Sequence, residues 1–232
     1  MTAKGVNCLL VKTSSEIALK SDHVRRYFTK KLVSNIKLSL KANNISLEKI
    51  ARGAGRLYLF TPDIKKTALV LQNIVGVHGI TFATRHKWKE YSVMEEAVLL
   101  QAKKNLKKGD SFAIRARREP KVPITSKDIE IKLGAAVMGT IPGLSVKLKG
   151  PDKEIFVEAR ERDFFLYWKD IPCFRGLPLG VEGNAAFLFE GKKNELLAAF
   201  LLMCRGCNIY PLVEKKSKAI EKHVNNLKKF NS

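Results

Sequence analysis

The feature that most constrains the fold is a basic segment at residues 112–127, where a strand, a turn and a helix start follow one another directly. Phe112 and Ile114 alternate with small and charged residues, and this period of two is typical of a half-buried strand. Pro120 and Pro123 then interrupt the strand, and Thr125 or Ser126 can cap the helix that follows. We therefore expect a strand and a helix that bring several cations together at one end of a folded unit.

The charge balance of the chain indicates an anionic partner. Its 232 residues include 43 Lys and Arg against 22 Asp and Glu, which gives a formal net charge of +21. A field of this sign attracts polyanions such as nucleic acids, although a solvated basic surface without a ligand is the alternative. No segment reaches the roughly 18 apolar residues of a membrane-spanning helix, and the first five residues do not begin a signal peptide. We expect a cytoplasmic protein with no membrane partner.

Several of the cations are candidates for phosphate contacts, because guanidinium groups fork onto phosphate oxygens and free amides at a helix start add a second anion site. The candidates in the basic segment, with Ser126 as helix cap and phosphate donor, are Arg115, Arg117, Arg118, Lys121, Ser126 and Lys127. Lys20, Arg25 and Arg26 are further candidates near the start of an earlier helix. A solvated helix face is the alternative interpretation for Arg25 and Arg26.

The order of hydrophobic patterns predicts an α+β protein. From Asp22 onward, apolar residues recur every four positions through Phe28 and Leu32 to Leu40, which indicates an amphipathic helix. Strands and a hairpin around it suggest helices on one face of an antiparallel sheet. The later expected elements are strands at 79–84, 144–148, 154–159, 164–168, 185–189 and 208–213, helices at 65–73, 93–104, 126–139 and 196–204, and a hydrophilic connector at 169–172.

The chain offers no catalytic nucleophile set and no metal site by its spacing. Cys204 and Cys207 form a C-x-x-C pair, but no second pair of ligands completes a metal site. A redox or sulfur-carrying role for the pair stays an alternative. The four histidines are scattered, with no ligand spacing. We therefore predict no catalytic residues and no metal ligands.

Three segments, at 16–21, 112–134 and 176–180, resemble the tRNA 4-thiouridine synthase family (tRNA sulfurtransferases). The resemblance implies a ferredoxin-like domain at 1–75 and an α/β THUMP domain at 76–170. Residues 171–232 would hold a linker, a vestigial βαβ piece of a PP-loop nucleotide-binding domain and a basic C-terminal helix. In the family, the first two domains hold the tRNA acceptor stem and its 3′ CCA end. The PP-loop domain uses ATP to activate uridine 8 for sulfur insertion.

The chain departs from the family at the nucleotide loop, which in the family reads Ser-Gly-Gly-x-Asp-Ser. The aligned residues here are Glu190, Gly191, Lys192, Lys193, Asn194 and Glu195, so only the first glycine is kept. Two carboxylates would oppose a phosphate ligand; at about 4 Å and an effective dielectric near 20, one such contact costs about 4 kcal/mol. With only 19 residues after Val213, we also expect no complete nucleotide domain.

These observations leave three readings of the function. The first is a non-catalytic tRNA-binding protein that needs no cofactor. It presents the acceptor end to a separate catalytic enzyme, or acts as one subunit of a split tRNA-modifying complex. The second is a divergent tRNA sulfurtransferase, or its RNA-binding half, which would bind ATP. The third is a general RNA chaperone or translation factor that acts through charge alone. A homodimer stays open, and the apolar stripe of the tail is expected to dock on its own domain, with a partner-docking helix as the alternative.

Overall fold

The structure is a computed structural model that describes residues 7–53, 55–215 and 217–230. The chain divides into two compact units. Among the described residues, the central unit contains Asn7, Cys8 and 81–169, and the terminal unit contains 9–80 and the residues from Asp170 onward.

The described chain contains both strands and helices, as expected of an α+β protein. The strands are β1 (Cys8–Thr13), β2 (Lys49–Gly53), β3 (Arg56–Phe60), β4 (Val77–Lys87), β5 (Ser111–Arg118), β6 (Ser145–Val146), β7 (Lys153–Ala159), β8 (Asp163–Pro172), β9 (Asn184–Phe189) and β10 (Asn208–Val213). The helices are α1 (Ser15–Ala18), α2 (Asp22–Ala42), α3 (Ile64–Leu71), α4 (Tyr91–Asn105), α5 (Ser126–Thr140), α6 (Glu195–Cys204) and α7 (Lys218–Lys228).

The terminal unit contains the βαββαβ pattern of a ferredoxin-like fold. Its strands follow the order β2-β3-β1-β4, and β1 and β2 both pair antiparallel with β3. The apolar side of α2 packs inward as the four-residue period predicts, since Phe28, Leu32, Ile36 and Leu40 are at most 5% exposed. Each such side chain contributes about 1.5–3 kcal/mol by leaving water.

The strand order in the central unit is β4-β8-β7-β5-β6. Strand β5 pairs parallel with β7, and β7 pairs antiparallel with β8. The core of this unit joins Phe112 and Ile114 of β5 to Leu133 and Val137 of α5 and to Val98 of α4. The alternation that predicts a half-buried strand therefore identifies the core side of β5 correctly.

The last part of the chain forms a βαβ unit, as its sequence pattern predicts. Strands β9 and β10 run parallel, with Asn184 opposite Asn208 and Phe189 opposite Val213. The expected docking of the tail on its own domain is confirmed, because Ile220 and Leu227 of α7 are buried in one cluster with Phe189, Met203 and Ile209.

Two sequence-based expectations about local structure are wrong, and one short helix is not predicted. The hydrophilic connector at 169–172 is the end of β8, because backbone pairing extends the strand beyond its apolar residues. The strand expected at 144–148 shortens to the two residues of β6. The short helix α1 was missed, because its four residues carry too little periodicity to detect.

Candidate nucleic-acid interface

The basic segment forms β5, a proline-containing turn and the first turn of α5. Successive side chains of a strand point to opposite faces, so Arg115 and Arg117 share the face opposite the core residues Phe112 and Ile114. The strand places these arginines, and the turn and helix place Lys121 and Lys127. We call Arg117, Lys121 and Lys127 the basic surface, because these three cations have no strong partner within the described protein, as shown below.

Arg115 is committed to its own unit. Its Nε atom donates to Oε1 of Glu154 at 2.8 Å, and its guanidinium also donates to the carbonyl of Leu148 at 2.5 Å. The register explains the pair, since Glu154 lies opposite Ala113, which is two residues before Arg115 on the same face. A phosphate would have to compete with an existing carboxylate for this guanidinium.

Arg118 has a structural contact that the sequence does not reveal. One of its terminal nitrogens donates to the carbonyls of Glu119, Pro120 and Val122, at 3.3, 3.0 and 3.0 Å. Three carbonyls of the turn thus converge on one cation. We infer that Arg118 fixes the shape of the turn that carries Lys121.

The basic surface consists of the cations of this segment that remain available. Arg117 and Lys127 are exposed and have neither an ion pair nor a side-chain hydrogen bond among the described residues. Lys121 is exposed and lies 4.0 Å from Oε2 of Glu161, which is a loose surface pair worth at most about 1 kcal/mol. An external anion can therefore contact these three side chains without breaking a strong internal bond.

The cap of α5 is Thr125, so the assignment of Ser126 as cap is wrong. The Thr125 hydroxyl accepts from the amide of Asp128 at 3.1 Å and donates to its carboxylate at 2.6 Å. Thr125 has the extended backbone that an N-cap requires, whereas Ser126 is already the first helical residue. Asp128 and Thr125 together satisfy part of the helix start, which leaves Ser126 as a candidate phosphate donor only.

The candidates of the terminal unit lie near the start of α2. Lys20 places its ammonium 5.8 Å from the ring centre of Phe28, and Arg25 pairs with Asp22. Arg26 is exposed, with no ion pair among the described residues. The structure therefore makes Arg26 the freer of the two helix arginines.

Arg25 and Arg26 also line a cavity that was not predicted. We call it the arginine cavity; its volume is about 360 Å³. Its lining residues are Thr13, Ile17, Ala18, Arg25, Arg26, Thr29, Arg52, Gly53, Gly55 and Arg56. Arg52 and Arg56 flank the turn between β2 and β3, and sequence reasoning missed them because their contribution depends on how this hairpin packs beside α2. The sequence feature that could have indicated this site is the pair Arg52 and Arg56 on either side of a glycine-rich turn.

The nucleotide loop between β9 and α6 is filled by its own carboxylate. Glu195 accepts hydrogen bonds from the amides of Glu190 and Gly191, both at 2.9 Å, and is 8% exposed. Backbone amides of this kind are the groups that wrap a phosphate at a helix start. Because Glu195 already bonds to them, the residues present do not fit the pyrophosphate of ATP.

The electrostatics of the loop agree with this geometry. Burial by itself would raise the pKa of Glu195, but the amides of Glu190, Lys192 and Gly191 and the nearby His223 outweigh it and lower that pKa below its usual range. Lys192 pairs with Glu190, which raises the pKa of Lys192. Glu195 is therefore held as a carboxylate at neutral pH, with its charge directed at the loop amides.

The remaining loop residue and the neighbouring helix support the closed arrangement. Asn194 precedes α6 but makes no side-chain cap, so Glu195 is the acidic group that serves the helix start. On the other side, Nδ1 of His223 in α7 lies 3.8 Å from Oε2 of Glu195. The tail helix thus covers the carboxylate that fills the loop.

Cys204, Trp88 and Tyr91 are all partly buried. Cys204 is half-buried and unpaired, and burial, followed by the charge of Glu16, raises the pKa of its thiol, which disfavours the reactive thiolate. Trp88 donates to the carbonyl of Arg160 at 2.7 Å, and Tyr91 packs against the core of the central unit. Within the described residues, no group of three His, Cys, Asp or Glu side chains can hold a metal ion. Among those residues there is also no helix with the length and apolar character needed to cross a membrane.

The fold and its two units define the class of protein. Residues 8–81 match the family described as the ThiI ferredoxin-like domain, and residues 89–169 match the THUMP domain. The molecule is therefore a protein in which a THUMP domain follows a ferredoxin-like domain.

Relatives of known family narrow this class. The chain is 34% identical over 226 residues to a protein of Methanosarcina mazei named "Probable tRNA sulfurtransferase", with 93% of this chain and 55% of that protein covered. The crystal structure of PH1313 from Pyrococcus horikoshii is similar with a TM-score of 0.85 and 29% identity, covering 97% of this chain and 75% of that one. The chain belongs to the tRNA 4-thiouridine synthase family.

The chain matches only part of the length of its relatives. The chain spans about half the length of the curated relatives it matches, since 55% of the M. mazei protein is covered. A 4-thiouridine synthetase solved as an RNA complex with bound ATP shares the fold, with a TM-score of 0.76 and 22% identity over 97% of this chain and 59% of that chain.

Proposed function

We propose that this chain binds the acceptor end of tRNA, including the 3′ CCA end, without ATP-dependent catalysis at its 190–195 loop. In this role it presents the RNA to a catalytic domain or to a separate tRNA-modifying enzyme. The observation that carries the RNA-binding part is the basic surface, where Arg117, Lys121 and Lys127 are exposed and free of strong internal partners. Its position in the THUMP domain of this family favours tRNA as the polyanion.

The physical basis of binding is the release of counterions from the RNA backbone. Each phosphate that a lysine or arginine neutralises contributes about −0.7 to −0.9 to the slope of log affinity against log salt. Arg117 can also fork onto two phosphate oxygens, whereas the lysines act as point charges. These contacts position the RNA, and a preference for the CCA end requires additional contacts to its unpaired nucleotides.

The non-catalytic part of the proposal depends on Glu195. A loop that binds ATP needs free amides for the pyrophosphate, and here Glu195 bonds to the amides of Glu190 and Gly191 at 2.9 Å each. Opening the loop would expose a carboxylate to a phosphate of the same sign. Calorimetric titration with ATP tests this part, and saturable binding at micromolar ATP would restore the reading as a divergent sulfurtransferase.

Binding of a tRNA acceptor minihelix tests the RNA-binding part. An intact minihelix and one trimmed of its CCA end are compared at two salt concentrations. We expect trimming to weaken binding at both concentrations. Equal affinities that fall together with salt would leave only a charge-based RNA binder and would remove the acceptor-end function.

A matched pair of variants assigns the contact to the basic surface. Lys127→Ala removes one charge at the start of α5, and Lys103→Ala removes the same charge from the last turn of α4. Both lysines are exposed, and Lys103 belongs to α4, whereas Lys127 belongs to the helix that follows the basic segment. We expect Lys127→Ala to reduce the salt slope by about 0.7–0.9 and Lys103→Ala to leave it unchanged. Equal effects would contradict the assignment.

A further inference from the structure

The arginine cavity of the terminal unit has the composition of an anion site. Four of its lining residues are arginines, and no Asp or Glu is among the residues that line it. Two come from α2 and two from the hairpin of β2 and β3, so arginines of separate elements line the same space. This convergence distinguishes the cavity from a row of charges along one helix face.

The four arginines differ in how firmly they are held. Arg56 is 6% exposed, so packing fixes its position, whereas Arg52 is exposed. Arg26 and Arg52 have no ion pair or side-chain hydrogen bond among the described residues. Arg25 pairs with Asp22, but both side chains are about half exposed or more, so a stronger anion can replace this carboxylate. The cavity thus offers two free guanidinium groups and one exchangeable group beside a fixed one.

The shape of the cavity selects among phosphate ligands. A phosphodiester lies within a continuous strand and carries one negative charge, whereas a phosphate monoester ends a strand and carries about 1.5 to 2 charges at pH 7. A concave site of about 360 Å³ is in the range of ligand pockets and exceeds the space that a phosphate group needs. It has room for a terminal nucleotide, and Gly55 leaves the hairpin side open, since nothing lies within 4 Å of a Cβ built there.

We propose that the arginine cavity binds a terminal phosphate monoester together with its nucleotide. For an RNA ligand, which rests on the function proposed above, this group is the 5′-terminal phosphate. A free nucleoside monophosphate carries the same chemistry and is the second source. Arg26 and Arg52 bind the phosphate oxygens through charge-assisted hydrogen bonds, and the buried Arg56 lines the site beside them.

The test compares minihelices that differ only at the 5′ end, one with a phosphate and one with a hydroxyl group. We expect the full protein to bind the phosphorylated form about tenfold more tightly, as one charge-assisted phosphate contact provides. Arg52→Ala and Arg26→Ala should each bring this ratio close to one. The matched control is Arg205→Ala, at an exposed arginine after α6 in the same unit, which should keep the ratio.

Titration of guanosine 5′-monophosphate without RNA distinguishes the two sources. If guanosine 5′-monophosphate binds and Arg52→Ala abolishes this binding, the proposal is supported with a free nucleotide as ligand. If the phosphorylated minihelix binds tenfold more tightly than the hydroxyl form, the proposal is supported with the 5′ end of RNA as ligand. The inference would be overturned if both minihelices bound with equal affinity and the protein bound no nucleotide. If that binding were still tight and dependent on the CCA end, the proposed function would stay intact. Loss of CCA dependence would instead refute the proposed function.

Discussion

Gly176 begins the segment Gly176-Leu177-Pro178-Leu179-Gly180, and replacing it by alanine tests how this segment docks on the end of α6. The amide of Leu177 donates to the carbonyl of Cys204 at 2.9 Å, and the amide of Gly180 donates to the carbonyl of Gly206 at 2.8 Å. A Cβ on Gly176 would lie 2.4 Å from the carbonyl oxygen of Cys204. This distance is too short for any real contact, so the segment must move away from the helix.

The expected cost of Gly176→Ala has two parts. Gly176 has a φ of +80°, and a left-handed conformation costs about 1–2 kcal/mol for a residue with a Cβ. Relief of the clash breaks the hydrogen bond from Leu177 to Cys204, which is worth about 1 kcal/mol and leaves a buried group without its partner. We therefore expect a loss of about 3 kcal/mol in the free energy of unfolding.

Gly183→Ala is the matched control, because Gly183 has a φ of +86° but nothing lies within 4 Å of its Cβ. It should cost only the conformational part, about 1–2 kcal/mol. Guanidinium unfolding followed by far-ultraviolet circular dichroism measures both free energies. Equal losses in the two variants would refute the close approach of Gly176 to Cys204.

Three further predictions concern titratable groups. The pKa of Glu195 is lowered in the folded state, so the stability that this carboxylate contributes is present above pH 4.5 and is lost as the pH falls through the lowered pKa. Glu195→Gln should remove this part of the loss of stability in acid, which is measured as melting temperature against pH. Tyr91→Phe should leave stability unchanged or raise it by up to about 1 kcal/mol in chemical denaturation, because the Tyr91 hydroxyl is buried and has no hydrogen-bond partner among the described residues. Burial, then the charge of Glu95, raises the pKa of Tyr91 to about 12. Burial raises the pKa of Cys173 to about 11 and also raises the pKa of Cys204. Iodoacetamide at pH 8 should therefore alkylate both thiols far more slowly in the folded protein than in the unfolded protein. Fast labelling of Cys204 in the folded protein would instead support a sulfur-carrying role.

The sequence predicts the elements of this chain well wherever one period dominates. Helix α2 begins at Asp22 as expected, because its buried positions recur at the spacing of a helix. Strand β10 also spans the expected residues, although Ile209 is the single buried residue among them. The end of β8 was wrongly predicted as a connector, because pairing with a neighbouring strand can hold polar residues extended against their local preference. Periodicity carries no information about such pairing.

For the candidate sites as well, the sequence determines one part and the tertiary structure determines another. The sequence by itself supplies the net charge, the basic segment and the altered loop at residues 190–195, because these depend only on residue type and order. Which cations are available was decided by the tertiary structure: Arg115 is neutralised by Glu154 and Arg118 is used by the turn, while Arg117 stays free. The arginine cavity likewise exists only after the hairpin carrying Arg52 folds beside α2. Partners distant along the chain meet only through packing, and the charge that a site presents to a ligand is what remains after those partners have formed their bonds.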